Sequence, residues 1–491
     1  MLTFQLIGIL LVFVIMSGLM FFRKIPALIA LPLMAFLIPL ISGVPLIDIV
    51  HFVIGQGSVK LSNAYTITMF GSMLSVFLQK TGVAENLIKK GAELSGDKPW
   101  TISIIMLILI ILLFTTLTGL GAIIMIATIV LPIMSSVGLG PLTIVGIFLF
   151  GLSIGGTLNA SNWALYIEIL NLSLSEVRSF AIIMFIVSFI VSLFYLTFQI
   201  YGDVQEVNLK KISIISISLF IIILAFLFFY QNLNEQSIYS IKKLIDSIWI
   251  VFKFLISLLI FFLFGYNLFR ILFRIKIRNQ IHWTSYVTPI IPLLLILIFE
   301  LNFIAAFIIG LIYGALSLYH KGILNVLIRS IFDGGSAVMP AVFLMFGIGM
   351  LLNAIMGPGE EWIKINNHPW PVLSLLQPLL KEIIPHNQIS YVVTFTLLAP
   401  MALYRGPLNV WGMGYGLAGI LLASGLNPGA IMGMLLALGQ IQGISDPTNT
   451  HNVWLANEMK VDVQKILWNT LPYTWFIACI GLIISAIKFL N

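Results

Sequence analysis

Runs of apolar residues, separated by short polar breaks, follow one another along almost the whole chain. Many of them approach the roughly 20 residues that a helix needs to cross a bilayer, and several others are too short or too rich in glycine to be simple crossings. The pattern predicts an all-α polytopic membrane protein. The apolar stretches lie near 4–22, 26–43, 60–79, 99–118, 121–136, 142–160, 179–201, 212–230, 246–268, 286–300, 302–319, 337–356, 389–404, 410–424, 428–444 and 471–489.

The composition narrows the class of protein further. Of the 491 residues, 60% are hydrophobic and only 9% are charged, whereas roughly 25% are charged in an ordinary soluble protein. This excludes a soluble enzyme, a nucleic-acid-binding protein and a disordered chain, because too few charges are present to cover a surface in water. We interpret the net charge of +7 as Lys and Arg held on cytoplasmic loops, with no nucleic-acid partner. The single cysteine, Cys479, is expected to be a packing residue.

The positions of the basic residues predict an orientation. Residues 1–22 lack a basic start and a cleavage site, so we expect a first membrane helix rather than a removable signal. Basic residues follow it at 23–24, and others lie in the predicted loop at 89–98 and in a cluster at 270–278. Because such residues favour the cytoplasm, the N-terminus is predicted to lie outside. The expected location is the cytoplasmic (inner) membrane of a prokaryote, with many crossings.

The two halves of the chain repeat each other. Residues 138–162 align without a gap to 425–449, with nine of 25 positions identical, and the alignment extends back to pair Gly119 with Gly406. A second block pairs the Met-Phe-Gly sequence of 69–71 with that of 345–347. With the predicted orientation, matched helices run in opposite directions. Inverted repeats of this kind are typical of secondary transporters, which bind substrate between the repeats near the middle of the membrane.

The repeat divides the chain into predicted segments. These are a first membrane helix at 1–24, repeat 1 at 25–200, connecting helices with a basic cytoplasmic linker at 201–285, and repeat 2 at 286–491. Each repeat is expected to contain a re-entrant hairpin and a broken helix, because polar breaks rich in Gly and Pro interrupt apolar segments at matching places. The hairpins are expected near 105–136 and 389–424, and the broken helices near 142–177 and 428–467.

Charge is nearly missing from the matched segments, and the exceptions are candidates for function. No Asp, Glu, Lys or Arg occurs in 99–167, whereas 383–457 contains only Arg405 and Asp446. Arg405 offers a planar fork suited to a carboxylate, and the alternatives are an ion pair with Asp446 or a side chain that reaches the interface. Asp446 could ligate a cation, carry a proton or neutralise Arg405, or it could cap the broken helix.

The polar residues around these breaks complete the predicted site. Unwound carbonyls with Ser, Thr and Asn oxygens can hold Na⁺, and helix N-termini can hold an anion. His451 is either a proton carrier or a hydrogen-bonded loop residue. The predicted substrate-binding residues are Arg405, Asn449, Thr450, Ser161, Asn162, Gly119, Gly406 and Asn409; the predicted cation or coupling residues are Asp446, Ser445, Thr448, Asn159 and Thr157.

At these residues the chain resembles the ion-transporter superfamily of secondary carriers, which includes citrate–metal symporters, gluconate permeases and C4-dicarboxylate and divalent-anion symporters. The resemblance rests on the duplicated hairpin and broken helix, with Leu-Pro-Ile-Met at 131–134 and a Gly-rich run at 151–156. It implies a Ser-Asn-Thr motif at each break, which binds carboxylate and borders Na⁺. The second break reads Thr-Asn-Thr at 448–450, whereas Ala-Ser-Asn-Trp at 160–163 lacks the final Thr. The resemblance also implies a dimerising scaffold domain and a transport domain that moves like an elevator.

The predicted function is transport of a small organic anion, with a carboxylate as the expected type, coupled to Na⁺ or H⁺ through elevator-type alternating access. The expected partners are the substrate, the bilayer and a second copy in a homodimer, and no cofactor is expected besides Na⁺. A Na⁺/H⁺ antiporter without organic substrate is the alternative. An enzyme is not expected, since no nucleotide-binding motif, catalytic triad or metal cluster is visible. A channel is disfavoured by the inverted repeats.

Overall fold

A computed structural model describes residues 2–22, 24–204, 235–273, 281–385, 387–410 and 414–490. In the first half it contains helices α1 (Leu2–Phe21), α2 (Ala27–Ile41), α3 (Leu46–Lys80), α4 (Val83–Ser95), α5 (Pro99–Phe114), α6 (Leu120–Ser136), α7 (Pro141–Thr157), α8 (Ala160–Leu170) and α9 (Leu174–Val204). Helix α3 includes a π-helical stretch, Ile49–Gln56. The predicted stretch near 212–230 and residues 274–278 of the basic cluster lie outside the described residues.

The second half continues with α10 (Glu235–Leu272), α11 (Ile290–Phe299), α12 (Phe303–Ser317), α13 (Ile323–Met356), α14 (Glu360–Asn366), α15 (Pro371–Ile383), α16 (Gln388–Leu398), α17 (Tyr415–Ala423), α18 (Pro428–Ser445), α19 (Thr450–Glu458) and α20 (Val463–Phe489). Short 3₁₀ turns precede α11 and follow α16, at Trp283–Val287 and Ala399–Ala402.

The protein is an all-α polytopic membrane protein. Six helices of the described chain are long and apolar enough to cross a bilayer, or seven if α7 and α8, bent by 49° at their break, form one span. Large apolar side chains remain exposed along α1 and α10, where only 17% and 11% of the span is buried within the protein. Such surfaces suit contact with lipid tails rather than with water.

Helices α3 and α13, which the repeat matches with each other, pack together as an antiparallel pair. A Cβ on Gly57 would lie 2.7 Å from the Cα of Met350, and one on Gly334 would lie 2.6 Å from the Cα of Met73. The match of 69–71 with 345–347 pairs Gly57 with Asp333, the neighbour of Gly334. The two close backbone approaches therefore correspond to each other to within one residue, as expected for approximate twofold pseudo-symmetry. Glycine is needed at both because any side chain would force the helices apart.

Several expectations about element boundaries were wrong. Lys89 and Lys90 do not lie in a loop but on α4, where they pair with Glu85 at 2.7 Å and Glu93 at 2.6 Å. The helix forms because its apolar positions recur at helical spacing and pack inward, while the charged pairs support its outer face. The stretches predicted near 60–79, 246–268 and 337–356 belong to helices that start earlier, at Leu46, Glu235 and Ile323. The last starts earlier because polar residues such as Asp333 occupy the exposed face of α13.

Candidate substrate site

Each half contains a helix broken at the predicted place. Helix α7 ends at Thr157 and α8 begins at Ala160, whereas α18 ends at Ser445 and α19 begins at Thr450. The second break follows from Pro447, which lacks an N–H and disfavours helical backbone at the residue before it. Asp446 accordingly has φ −71° and ψ 112°, an extended conformation.

Side chains that follow each break satisfy the carbonyls that precede it. Asn162 Nδ2 donates to the Gly156 carbonyl at 2.8 Å, and Asn449 Nδ2 donates to the Gln442 carbonyl. These two asparagines are matched by the repeat, and each bond reaches back to a carbonyl near the end of the helix before its break, which stabilises the break. Without such donors, carbonyls freed by a break would be left unsatisfied inside the protein.

Two helical hairpins bring their tips towards the breaks. Hairpin 1 consists of α5, a turn at 115–119, and α6; Gly119 has φ 87°, in the region that favours glycine. Hairpin 2 runs from α16 to α17, and we call residues 403–410 its tip. At this tip Tyr404 and Arg405 have φ values of 54° and 57°. Two successive left-handed residues with side chains are strained by about 1–2 kcal/mol each, so neighbouring contacts must hold them in place.

Asp446 supplies those contacts. Its carboxylate is fully buried; Oδ1 accepts hydrogen bonds from the Tyr404 N–H at 3.0 Å and the Thr448 N–H at 2.9 Å, and Oδ2 accepts one from Asn409 Nδ2 at 3.2 Å. The Thr448 hydroxyl donates to Oδ1 as well, at 2.7 Å. Asp446 therefore ties the tip of hairpin 2 to the second break. It does not cap α19, whose N-cap residue is Asn449.

The matched residue of the first half, Asn159, makes a related connection. Its Oδ1 accepts from the Ser161 N–H at 3.0 Å, as Asp446 does from Thr448, and its Nδ2 donates to the Phe114 carbonyl of hairpin 1 at 3.2 Å. Each hairpin is thus joined to the break of its own half by an Asx side chain. The first connection is neutral and the second uses a carboxylate.

Tips and breaks from both halves surround one cavity of about 670 Å³. Its lining also includes residues of α1, the start of α2 and α13. Ser153 and Gln440 are matched by the repeat and hydrogen-bond to each other here at 3.0 Å, so the pseudo-symmetry axis passes beside the cavity. Arg405 is exposed and is the one Asp, Glu, Lys or Arg side chain that the described residues contribute to the lining. It forms no ion pair within the described part of the chain, so it is not paired with Asp446.

The structure brings most of the predicted site residues together and places others behind the surface. Ser161 is buried towards α3, Ser445 hydrogen-bonds to Thr470 and Thr474 of α20, and Gly406 packs against the Met401 carbonyl. Asp446 and Thr448 lie behind the tip of hairpin 2. The predicted residues that line the cavity are Gly119, Thr157, Asn159, Asn162, Arg405, Asn409, Asn449 and Thr450.

Several lining residues were not predicted from the sequence. Gln440 and Gln442 lie on α18 inside the cavity wall, and Tyr166 and Tyr415 bring their rings within 6.2 Å of each other in the same wall. The sequence signal for the two glutamines is a pair of amides within an otherwise apolar helix. Polar residues inside the apolar segments of a membrane protein indicate a functional site by default. His451, for which two interpretations stood open, also lines the cavity, and its Nε2 lies 3.1 Å from the Gly443 carbonyl.

Comparison with known proteins adds a structural likeness. No protein-family model matches the chain, and no curated protein matches it. Among solved structures, the YdaH transporter of Alcanivorax borkumensis is similar over 87% of this chain and 86% of that chain, with a TM-score of 0.43 and 12% sequence identity. A similarity of this degree carries no conclusion about function or substrate.

Proposed function

We propose that the protein is a secondary transporter that moves a small organic anion, of the carboxylate type, across a cytoplasmic membrane. One observation carries the proposal: the cavity lies where both hairpins and both broken helices meet, and Arg405 supplies its lining charge. A guanidinium at membrane depth is costly unless it has a partner. An anionic substrate is the partner that this arrangement suits, because the guanidinium fork matches a carboxylate.

Helix N-termini strengthen the preference for an anion. Helices α6, α8 and α19 begin at the cavity, after Gly119, Asn159 and Asn449. The N-cap Asn449 makes no capping side-chain hydrogen bond, and Gly119 has no side chain to make one. Each N-terminus carries about half a positive charge on its first-turn N–H groups. Together with Arg405 they favour an anion in the cavity.

The proposal extends to the transport cycle. We propose that coupling to Na⁺ or H⁺ drives alternating access, with each hairpin and the broken helix of its own half moving together. The hydrogen bonds of Asn159 and Asp446 support this, because they join the hairpin to the break within each half. An elevator-type motion and a homodimer fit the same proposal.

The test measures anion uptake by the full chain in proteoliposomes. Arg405→Ala is expected to weaken substrate binding about 10- to 150-fold, because a charge-assisted hydrogen bond is worth about 1.5–3 kcal/mol. Arg405→Lys keeps the charge but loses the fork, so it should bind with intermediate affinity. Arg329→Ala is the matched control, since Arg329 is exposed on α13 and does not line the cavity.

Two results would refute the proposal. One is unchanged uptake and affinity for every carboxylate in the panel after Arg405→Ala. The other is Na⁺-driven proton movement in vesicles without any organic solute, together with no uptake of any acid, which would support a Na⁺/H⁺ antiporter instead.

A further inference from the structure

The hydrogen bonds that fix the cavity's amides also determine which atom of each amide remains available. Gln442 Oε1 accepts from the Val410 N–H at 2.7 Å. A backbone N–H can only donate, so the atom it meets must be the oxygen, and the Gln442 amide nitrogen is left as a donor. Gln440 Oε1 accepts from the Ser153 hydroxyl at 3.0 Å, so its nitrogen is a donor too. A hydroxyl can also accept, so the amide orientation is fixed by its partner at Gln442 and not at Gln440. Neither nitrogen has a partner within the described residues.

The asparagines of the two breaks present the opposite polarity. Asn162 and Asn449 each donate through Nδ2 to a backbone carbonyl. Because a carbonyl only accepts, both assignments are fixed, and the two Oδ1 atoms remain as acceptors without a partner in the described chain. His451 adds to them: its Nε2 must carry the hydrogen that the Gly443 carbonyl accepts, so in the neutral ring Nδ1 is an acceptor.

The cavity therefore combines two kinds of group. Arg405 and the amide nitrogens of Gln440 and Gln442 are donors, as a carboxylate requires. The Oδ1 atoms of Asn162 and Asn449 are acceptors, and a carboxylate cannot satisfy them, since it has no hydrogen to donate. A bound ligand that left such acceptors dry and unpaired would lose affinity, because a buried unsatisfied group costs about 1–3 kcal/mol.

From this polarity we infer that the substrate carries a hydrogen-bond donor, a hydroxyl or amino group, beside its carboxylate. This inference rests on the proposed function and refines it. The carboxylate meets Arg405 and the glutamine nitrogens, and the hydroxyl or amino group donates to the asparagine oxygens. A plain carboxylate of the same length satisfies only the first set.

Matched series of acids test the inference by thermal shift and calorimetry on the purified full chain. The series are propionate, lactate and alanine, and succinate, malate and aspartate, each measured in Na⁺ and in choline buffer. The hydroxy or amino member of a series is expected to bind at least tenfold more tightly than its parent acid. Gln440→Leu should weaken every acid by a similar factor, whereas Asn162→Ala should narrow the difference in affinity between the substituted acids and their parent acids. Unliganded melting temperatures check that both variants are folded.

The remaining outcomes overturn the inference in distinguishable ways. Equal affinity for parent and substituted acids removes the donor requirement but leaves the anion transporter standing. A preference that disappears in choline while the parent acids still bind assigns the asparagine oxygens to a cation, and the inference is then wrong. Absence of binding by every acid refutes the proposed function as well.

Discussion

Replacing Asp446 by Asn tests how strongly its carboxylate holds the hairpin 2 tip. The substitution is expected to lower the local stability of the tip more than the stability of the whole protein. In Asp446→Asn the Oδ1 position can still accept from the Tyr404 and Thr448 N–H groups. The other position becomes an NH₂ group that faces Asn409 Nδ2, which already donates to the Ala402 carbonyl at 3.1 Å. Two donors then oppose each other in a fully buried place, and the remaining bonds lose the assistance of charge.

The magnitude follows from these bonds. A hydrogen bond to a charged group is worth about 1.5–3 kcal/mol and a neutral one about 0.5–1.5 kcal/mol. Loss of charge assistance with one unpaired donor should weaken the hold on the tip by about 2 kcal/mol, or about 30-fold. The whole protein should lose less, because the buried carboxylate lacks a counter-ion among the described residues and its removal relieves a desolvation cost.

Hydrogen exchange measured by mass spectrometry gives the readout without a known substrate. Peptides that cover the tip at 403–410 should exchange about 30-fold faster in Asp446→Asn, since exchange reports local opening. The hairpin 1 turn at 115–119 should be unchanged, and the melting temperature should move little. Asp462→Asn is the matched control, because Asp462 is an exposed N-cap of α20, where Asn serves equally well. Unchanged exchange at the tip would show that the carboxylate does not hold it.

Two substitutions test the packing. Gly334→Ala would place a Cβ 2.6 Å from a backbone Cα of α3, whereas a Cβ on Gly335 would have nothing within 4 Å. Gly334→Ala should therefore destabilise the protein by an overpacking cost of about 1–3 kcal/mol and lower its melting temperature, and Gly335→Ala should not. Tyr391→Phe removes the 2.7 Å bond to the Ala430 carbonyl and should cost about 1 kcal/mol in thermal unfolding, whereas the exposed Tyr319→Phe should be neutral. Equal effects within either pair would contradict the assigned contacts.

The sequence predicts best those features that occur in both repeats. The two breaks lie where the alignment of 138–162 with 425–449 places them, and Asn162 and Asn449 each donate to a carbonyl that precedes the break. Hydrophobic runs also locate most helices to within a few residues, because a bilayer imposes both length and composition on its crossings.

Features that depend on tertiary contacts could not be predicted from the sequence. The separation of Arg405 from Asp446 follows from left-handed backbone at the tip, which the hydrogen bond from the Tyr404 N–H supports. No pattern of residues in the sequence predicts this contact. Gln440 and Gln442 were missed for a related reason: the repeat matches them with Ser153 and Gly155, so they have no counterpart of their own type in the first half.

The union of two matched halves in one chain has a consequence for the shape of the ligand. The repeat pairs Arg405 with Thr118 and Asp446 with Asn159, so both charges belong to one half alone. A dimer of identical halves would have to present each of these residues twice about its axis, and its cavity would suit a ligand with two equal ends. Covalent linkage removes that constraint, because each half can change at a matched position independently. A fused chain can therefore bind a ligand whose two ends differ in chemistry.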